Sequence, residues 1–140
     1  MHRASYLTAL ALFAGLPFLP AEALATDPCW STIGASRDMV RELDECSIEA
    51  RGSIRIATLR DTLLIPSRDM ADVGHSVALT YVNCLTGEMA SKQLSLYRED
   101  GYLLSEMTYD ELQYTEMAPD TQGAAAIATV CAAKPREKAI

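Results

Sequence analysis

Apolar and polar positions alternate through most of the chain and predict a series of β-strands. The longest such stretch covers residues 53–65, in which Ile54 and Ile56 share one face while Leu59 and the later apolar residues share the other. Because the apolar set changes face near Ala57, we expect a bulge or a bend at that point.

Turn-forming residues separate the predicted strands. We expect turns or loops at residues 44–47, 66–74, 86–88 and 99–101. Aspartate and serine side chains bond to local backbone groups, and glycine accepts a positive φ. Consecutive strands that are joined by tight turns pair antiparallel. The pattern therefore predicts an antiparallel β-sheet of five or six strands.

The last part of the chain predicts one helix. Residues 122–133 are rich in alanine, with Ile127, Val130 and Cys131 near one face. Asp120 or Thr121 can cap the free amides at its start, and Pro135 ends it.

One C-terminal α-helix packed on an antiparallel sheet is an α+β fold. We expect a single domain over residues 26–134 and a flexible tail over 135–140, since chain ends fray unless they are tied down.

The first 25 residues have the order of a secretory signal peptide. His2 and Arg3 are followed by an uncharged apolar run over 6–19, and small residues stand at Ala23 and Ala25. The run is about 14 residues long, too short to span a bilayer as a helix. We expect cleavage after Ala25 and a protein that is periplasmic or secreted.

No lipid anchor is expected, because lipoprotein processing cuts directly before a cysteine that follows small apolar residues. The first cysteine is Cys29, and Thr26-Asp27-Pro28 precede it. No other stretch is apolar enough to span a membrane.

Four cysteines follow the signal peptide: Cys29, Cys46, Cys84 and Cys131. An even number in a small exported domain indicates disulfides. A zinc site is disfavoured, because no C-x-x-C pair occurs and His75 is the only histidine in this part of the chain. Four cysteines allow three pairings. We prefer Cys29–Cys46, across an N-terminal hairpin, and Cys84–Cys131, between a central strand and the helix; the other two pairings stay open.

The chain is acidic, with a formal net charge of −7. This disfavours nonspecific binding to nucleic acid or anionic lipid, which needs a basic surface. The stretch from Glu99 to Asp120 contains seven acids and no Lys or Arg. The simpler interpretation is that these acids form a solvated face, and the more specific one is that they bind a basic partner.

Candidate catalytic and metal-binding residues are few. His75 stands beside Ser76, but adjacent residues of an extended chain point to opposite faces, so we expect an exposed loop histidine without a catalytic role. Four acids could offer oxygens to calcium, yet they lack the glycine-turned loop of a calcium site: Glu106, Asp110, Glu111 and Glu116. We predict no enzyme activity, no metal and no cofactor.

Aromatic residues supply a candidate contact surface. We expect Trp30 and Tyr81 in the core. Tyrosine beside acids gives rigid contact area at low entropy cost, which suits a protein partner. The predicted partner-contact residues are Tyr109, Asp110, Glu111 and Tyr114.

Several short motifs resemble one family of exported bacterial proteins. They are Trp30 at the first strand, the sequence LDECSI at 43–48, Cys84 at a strand end, the hairpin at 97–101, and residues 117–123 leading into a helix that carries Cys131. Together they resemble the surface-adhesin protein E family. The resemblance implies an antiparallel sheet with a C-terminal helix and supports the Cys84–Cys131 pair. Cys29 and Cys46 look like additions to the family pattern.

The resemblance also implies a function, since the best-known relative is an adhesin that binds host matrix and plasma proteins. We expect a non-enzymatic protein-binding module whose partner is a host matrix protein or an envelope or toxin protein. The alternative is a small periplasmic inhibitor or immunity protein that blocks a toxin or wall hydrolase. A homodimer is a further option.

Overall fold

The computed structural model describes residues 29–135, and the structural statements below concern that range. The predicted signal peptide and nearly all of the predicted tail lie outside it. Within it, no helix has the length and apolar character that crossing a membrane requires.

Seven strands and one helix follow one another in residues 29–135. They are β1 (Trp30–Ala35), β2 (Met39–Arg51), β3 (Ile54–Leu63), β4 (His75–Asn83), β5 (Glu88–Tyr97), β6 (Leu103–Thr108), β7 (Thr115–Glu116) and α1 (Gln122–Ala132).

The strands form one antiparallel sheet whose order follows the chain from β1 to β6. The short β7 pairs with β5 beyond the end of β6, so β1 and β6 are the two outer edges. This architecture confirms the predicted α+β fold with one C-terminal helix. β7 is an addition, since two residues are too few for an alternating pattern to reveal a strand.

The core lies between α1 and one face of the sheet. Leu43 and Leu59 are directly opposite each other on β2 and β3, and both are buried under the helix residues Ala126 and Val130. On the same sheet face Arg41 makes two hydrogen bonds of 2.7 Å with Asp61. The helix contacts β1, β2, β3 and β4, and so covers this part of the face.

The helix begins where the sequence predicts. Thr121 is the N-cap residue, and its Oγ1 accepts a hydrogen bond from the amide of Ala124 at 3.2 Å. This bond satisfies one of the free amides of the first turn. At the other end, the amide of Ala133 donates to the carbonyl of Thr129.

Two disulfides close the fold, in the preferred pairing. Cys29–Cys46 joins the start of β1 to β2, with 5.3 Å between the Cα atoms. Cys84–Cys131 joins the end of β4 to α1, with 5.7 Å between the Cα atoms. Both predicted roles, across the first hairpin and between a strand and the helix, are confirmed.

The predicted turn at residues 44–47 is wrong, because β2 continues through it as a bulge. Asp44 pairs with Thr58 and Glu49 with Ile56, so β2 carries extra residues opposite Ala57. Asp44 Oδ1 accepts from the Cys46 amide, and Ser47 Oγ accepts from the Thr58 amide at 2.8 Å. The Asp and Ser side chains do bond locally, but they bridge the interrupted ladder instead of reversing the chain.

The bulge that the sequence predicts in β3, near Ala57, lies instead in the neighbouring strand β2. β3 pairs with β4 in unbroken register, so its own alternation is continuous. In a regular strand, residues five positions apart face opposite sides of the sheet. The bulge in β2 changes this alternation, so Leu43 and Ile48 both point into the core.

Candidate functional site

The four predicted contact residues lie in the segment that connects β6 to β7, here called the 109–114 segment. Tyr109, Asp110 and Glu111 are exposed, and Tyr114 is half-buried. The segment leaves the sheet where β6 ends and returns at β7, so it runs beside the part of β5 that neither strand pairs with.

Lys92 of β5 holds this segment in place. Its Nζ donates to the carbonyl of Tyr109 at 2.6 Å and points to that of Asp110 at 3.4 Å, while the amide of Tyr109 donates to the carbonyl of Lys92. The register between β4 and β5 pairs Gln93 and Ser91 but skips Lys92, which therefore forms a bulge in β5. The bulge lets the side chain of Lys92 reach the 109–114 segment. Sequence reasoning missed this lysine, since no pattern of apolar residues marks a bulge in β5.

A groove of about 480 Å³ lies between β5 and the segment that follows β6. Tyr109 and Glu111 line it together with apolar side chains: Met89 and Leu94 of β5, and Met117, which follows β7. The structure therefore brings Tyr109 and Glu111 to one groove, whereas Asp110 and Tyr114 do not line it. Apolar side chains beside a phenol and a carboxylate can receive an apolar side chain that carries a donor or a positive charge.

The edge strand β6 adds an exposed apolar surface beside this groove. All six residues of β6 are exposed, and Leu103, Leu104 and Met107 are its large apolar side chains. Tyr102 and Tyr109, at 62% and 42% exposed, flank the strand on either side. The sequence predicts this strand but not its position at the edge, because alternation does not reveal which strand lacks a neighbour.

His75 is part of the sheet, which corrects the expectation of an exposed loop histidine. It opens β4, is half-buried, and stacks on Tyr97 with ring centroids 4.8 Å apart. Partial burial, and then the positive charge of Arg60, lower the pKa of His75 below its ordinary value. Ser76 belongs to the opposite face of the strand, so the two side chains do not form a nucleophile–base pair.

We expect the free energy of unfolding to fall as the pH drops below about 6.5, the pKa of an unperturbed histidine. The lowered pKa of His75 means that the unfolded chain takes up the proton first. The contribution of His75 to the free energy of unfolding is complete above about pH 6.5, and it is lost as the pH falls through the folded-state pKa. Urea unfolding of the wild type and His75→Gln at several pH values isolates this component, because the carboxylates titrate in both. An NMR midpoint of 6.5 or higher for His75 would contradict it.

Trp30 lies on the sheet face away from the helix, which corrects its predicted place in the core. It is half-buried, and the guanidinium carbon of Arg60 lies 4.1 Å from the centre of its ring. Arg60 also donates to Glu42 at 2.7 Å. Tyr81 is half-buried too, rather than a core residue. The uncovered face explains both, since strand alternation places large aromatics on either side of a sheet.

The structure does not bring the four acids considered for calcium together. Glu106 accepts a hydrogen bond from Ser95 on the sheet face, whereas Asp110 and Glu111 belong to the segment beyond β6. Within residues 29–135 the group of potential ligands close enough to share an ion is Cys29, Asp44 and Cys46. The two sulfurs of that group are joined in a disulfide.

Comparison with protein-family models gives no match, and no curated protein matches the chain. Comparison with solved structures does give a match: the structure of Haemophilus influenzae protein E, with a TM-score of 0.51 and 14% sequence identity. The alignment covers 75% of this chain and 85% of that chain. At this identity the likeness concerns the fold, and in fold this chain is similar to Haemophilus influenzae protein E.

Proposed function

We propose that this chain is an exported, non-enzymatic module that binds another protein through the 109–114 segment and the groove beside it. The groove carries the proposal. Tyr109 and Glu111 line it beside apolar side chains, and Lys92 holds the same segment through the carbonyls of Tyr109 and Asp110. A contact surface that is already ordered loses little entropy on binding.

The composition of this surface suits a protein partner. Exposed tyrosines and apolar side chains surrounded by carboxylates match the centre and the rim of protein–protein interfaces. The ring of His75 stacks on Tyr97, and the adjacent Ser76 belongs to the opposite face of β4, so the Ser–His pair considered for catalysis is not formed.

Export and an adhesin-like role rest on two further observations. Two disulfides suit the oxidising periplasm or medium and agree with the predicted cleavage after Ala25. The fold is similar to that of Haemophilus influenzae protein E, and the sequence motifs resemble the surface-adhesin protein E family. The partner class that follows is a host matrix protein, with an envelope or toxin protein as the other outcome of the test.

The test is capture of partners by the chain that begins at Thr26. We expect Tyr109→Ala combined with Glu111→Ala to weaken capture at least tenfold, because both side chains border the groove. Bead-bound wild type and variant would be exposed to host matrix proteins and to an envelope extract of the producing bacterium, and bound protein would be quantified by mass spectrometry.

The matched control is Asp69→Ala combined with Met70→Ala, an exposed acid and an exposed apolar residue on the loop between β3 and β4. Capture should be unchanged in this control. Equal capture by the groove variant and the wild type would refute the proposed site. Capture of a single toxin or wall hydrolase, without any matrix protein, would replace adhesion by inhibition.

A further inference from the structure

The outer edge of β6 has no partner strand within residues 29–135. β6 ends the path of paired strands, and the short β7 joins β5 instead of β6. The opposite edge, β1, differs in its side chains: it carries Ser31 and Thr32, whereas β6 carries the exposed Leu103, Leu104 and Met107. A free edge of this kind can pair with an extended segment of another chain.

The amides that face outward can be identified from the hydrogen-bond pattern. Tyr109 donates its amide to Lys92, so its N–H points inward to β5. Inward and outward amides alternate along an antiparallel strand. The amides of Glu106 and Thr108 therefore point away from the sheet and are free to bond an added strand.

Apolar side chains accompany these amides on both faces of β6. Leu103, Leu104 and Met107 are 45%, 39% and 39% exposed. Met107 pairs with Leu94 of β5, so an added strand would extend an apolar row that already crosses the sheet.

The charge around this edge selects the kind of strand. Glu106 lies on β6, and Glu99, Asp110 and Glu111 flank the strand along the chain; all four are exposed. The nearest cations are engaged, since Arg98 forms two hydrogen bonds with Asp100 and Lys92 is held by the carbonyls of Tyr109 and Asp110. The edge is therefore complementary to a segment that carries Lys or Arg, whereas a second copy would bring the same acids together.

We propose that β6 binds an extended, Lys- or Arg-bearing segment of the partner protein as an additional β-strand. This inference rests on the proposed function and specifies how the partner binds. Backbone hydrogen bonds to Glu106 and Thr108 hold the segment, its apolar side chains pack beside Leu104 and Met107, and its positive side chains meet the surrounding acids.

The probe is a synthetic nine-residue peptide of alternating lysine and valine, added to the chain that begins at Thr26. We expect saturable binding and slower hydrogen exchange of the Glu106 and Thr108 amides. A peptide with glutamate in place of lysine should not bind. N-methylation of every second residue of the lysine peptide should weaken binding at least tenfold in one of the two registers, since it removes the donors that face β6.

A matched pair of protein variants locates the edge. Thr108→Pro removes an outward donor of β6 and leaves its inward bonds in place. Thr32→Pro does the same on β1, because the bond from the Glu45 amide to the Cys29 carbonyl makes the Thr32 amide point outward. Peptide binding should fall about tenfold in Thr108→Pro and stay unchanged in Thr32→Pro.

The outcomes separate this inference from the proposed function. Equal partner capture and equal peptide binding by Thr108→Pro and the wild type would overturn strand addition while the protein-binding function stands. If N-methylation weakens peptide binding in neither register, strand addition is overturned, even if Thr108→Pro misfolds. A concentration-dependent dimer that blocks the peptide would assign the edge to a second copy and overturn it as well.

Discussion

Replacing both Cys84 and Cys131 by alanine is expected to lower the free energy of unfolding by about 4 kcal/mol. The bond closes a loop with a sequence separation of 47, and in the chain-entropy model a longer loop restricts the unfolded chain more. It also ties α1 to the end of β4, next to the buried Val82 and Val130. Urea unfolding followed by circular dichroism gives the difference directly.

The control for this experiment is the double variant Cys29→Ala with Cys46→Ala. Its loop is shorter, with a separation of 17, so the expected loss is about 3 kcal/mol. A Cys84/Cys131 variant as stable as the wild type would show that packing alone holds the helix on the sheet.

Leu43→Ala is expected to lower the free energy of unfolding by about 3 kcal/mol. Leu43 is 0% exposed and lies where β2, β3 and α1 meet, so truncation leaves a cavity that these three elements cannot all close. Denaturant unfolding of the two proteins measures the loss, and an unchanged m-value would assign it to stability rather than compactness.

Leu85→Ala is the matched control, because the same truncation is made on a leucine that is 83% exposed. Its effect should stay within about 0.5 kcal/mol of the wild type. Equal losses for Leu43→Ala and Leu85→Ala would contradict the assignment of the core to the helix-covered face.

Local chemistry made much of this fold predictable from the sequence. The turns at 86–88 and 99–101 each contain a glycine, and Gly87 and Gly101 have φ values of 73° and 87° in the structure. Thr121 caps the helix through the hydroxyl that its residue type suggests. Each of these features depends on residues within a few positions of one another, which is the range that a sequence pattern reports.

The bulge in β2 could not be predicted in this way, because it depends on residues that are further apart in the sequence. The Asp44, Cys46 and Ser47 pattern is the same for a turn and for a bulge, and what decides between them is pairing with Thr58 on the next strand. Strand pairing over more than ten positions is not encoded in local alternation. The same limit explains why β7, the position of β6 at an edge and the anchoring by Lys92 emerge only in the structure.

The candidate site was predicted by residue type but not by geometry. Tyr109, Asp110, Glu111 and Tyr114 do share one connecting segment, because they are close in sequence. The structure then separates Tyr109 and Glu111, which border the groove, from the other two. That separation depends on where β6 ends and β7 begins, and those points are set by pairing with β5.

The positions of the two disulfides also determine how the domain would carry mechanical load. A force applied at the two chain ends bypasses the loop from Cys29 to Cys46 and the loop from Cys84 to Cys131, because each is closed by a covalent bond. Within residues 29–131, only the stretch between Cys46 and Cys84 can lengthen, to about 130 Å at about 3.4 Å per residue. That stretch holds β3 and β4, so the groove and the β6 edge would stay inside a closed loop while the middle of the sheet yields.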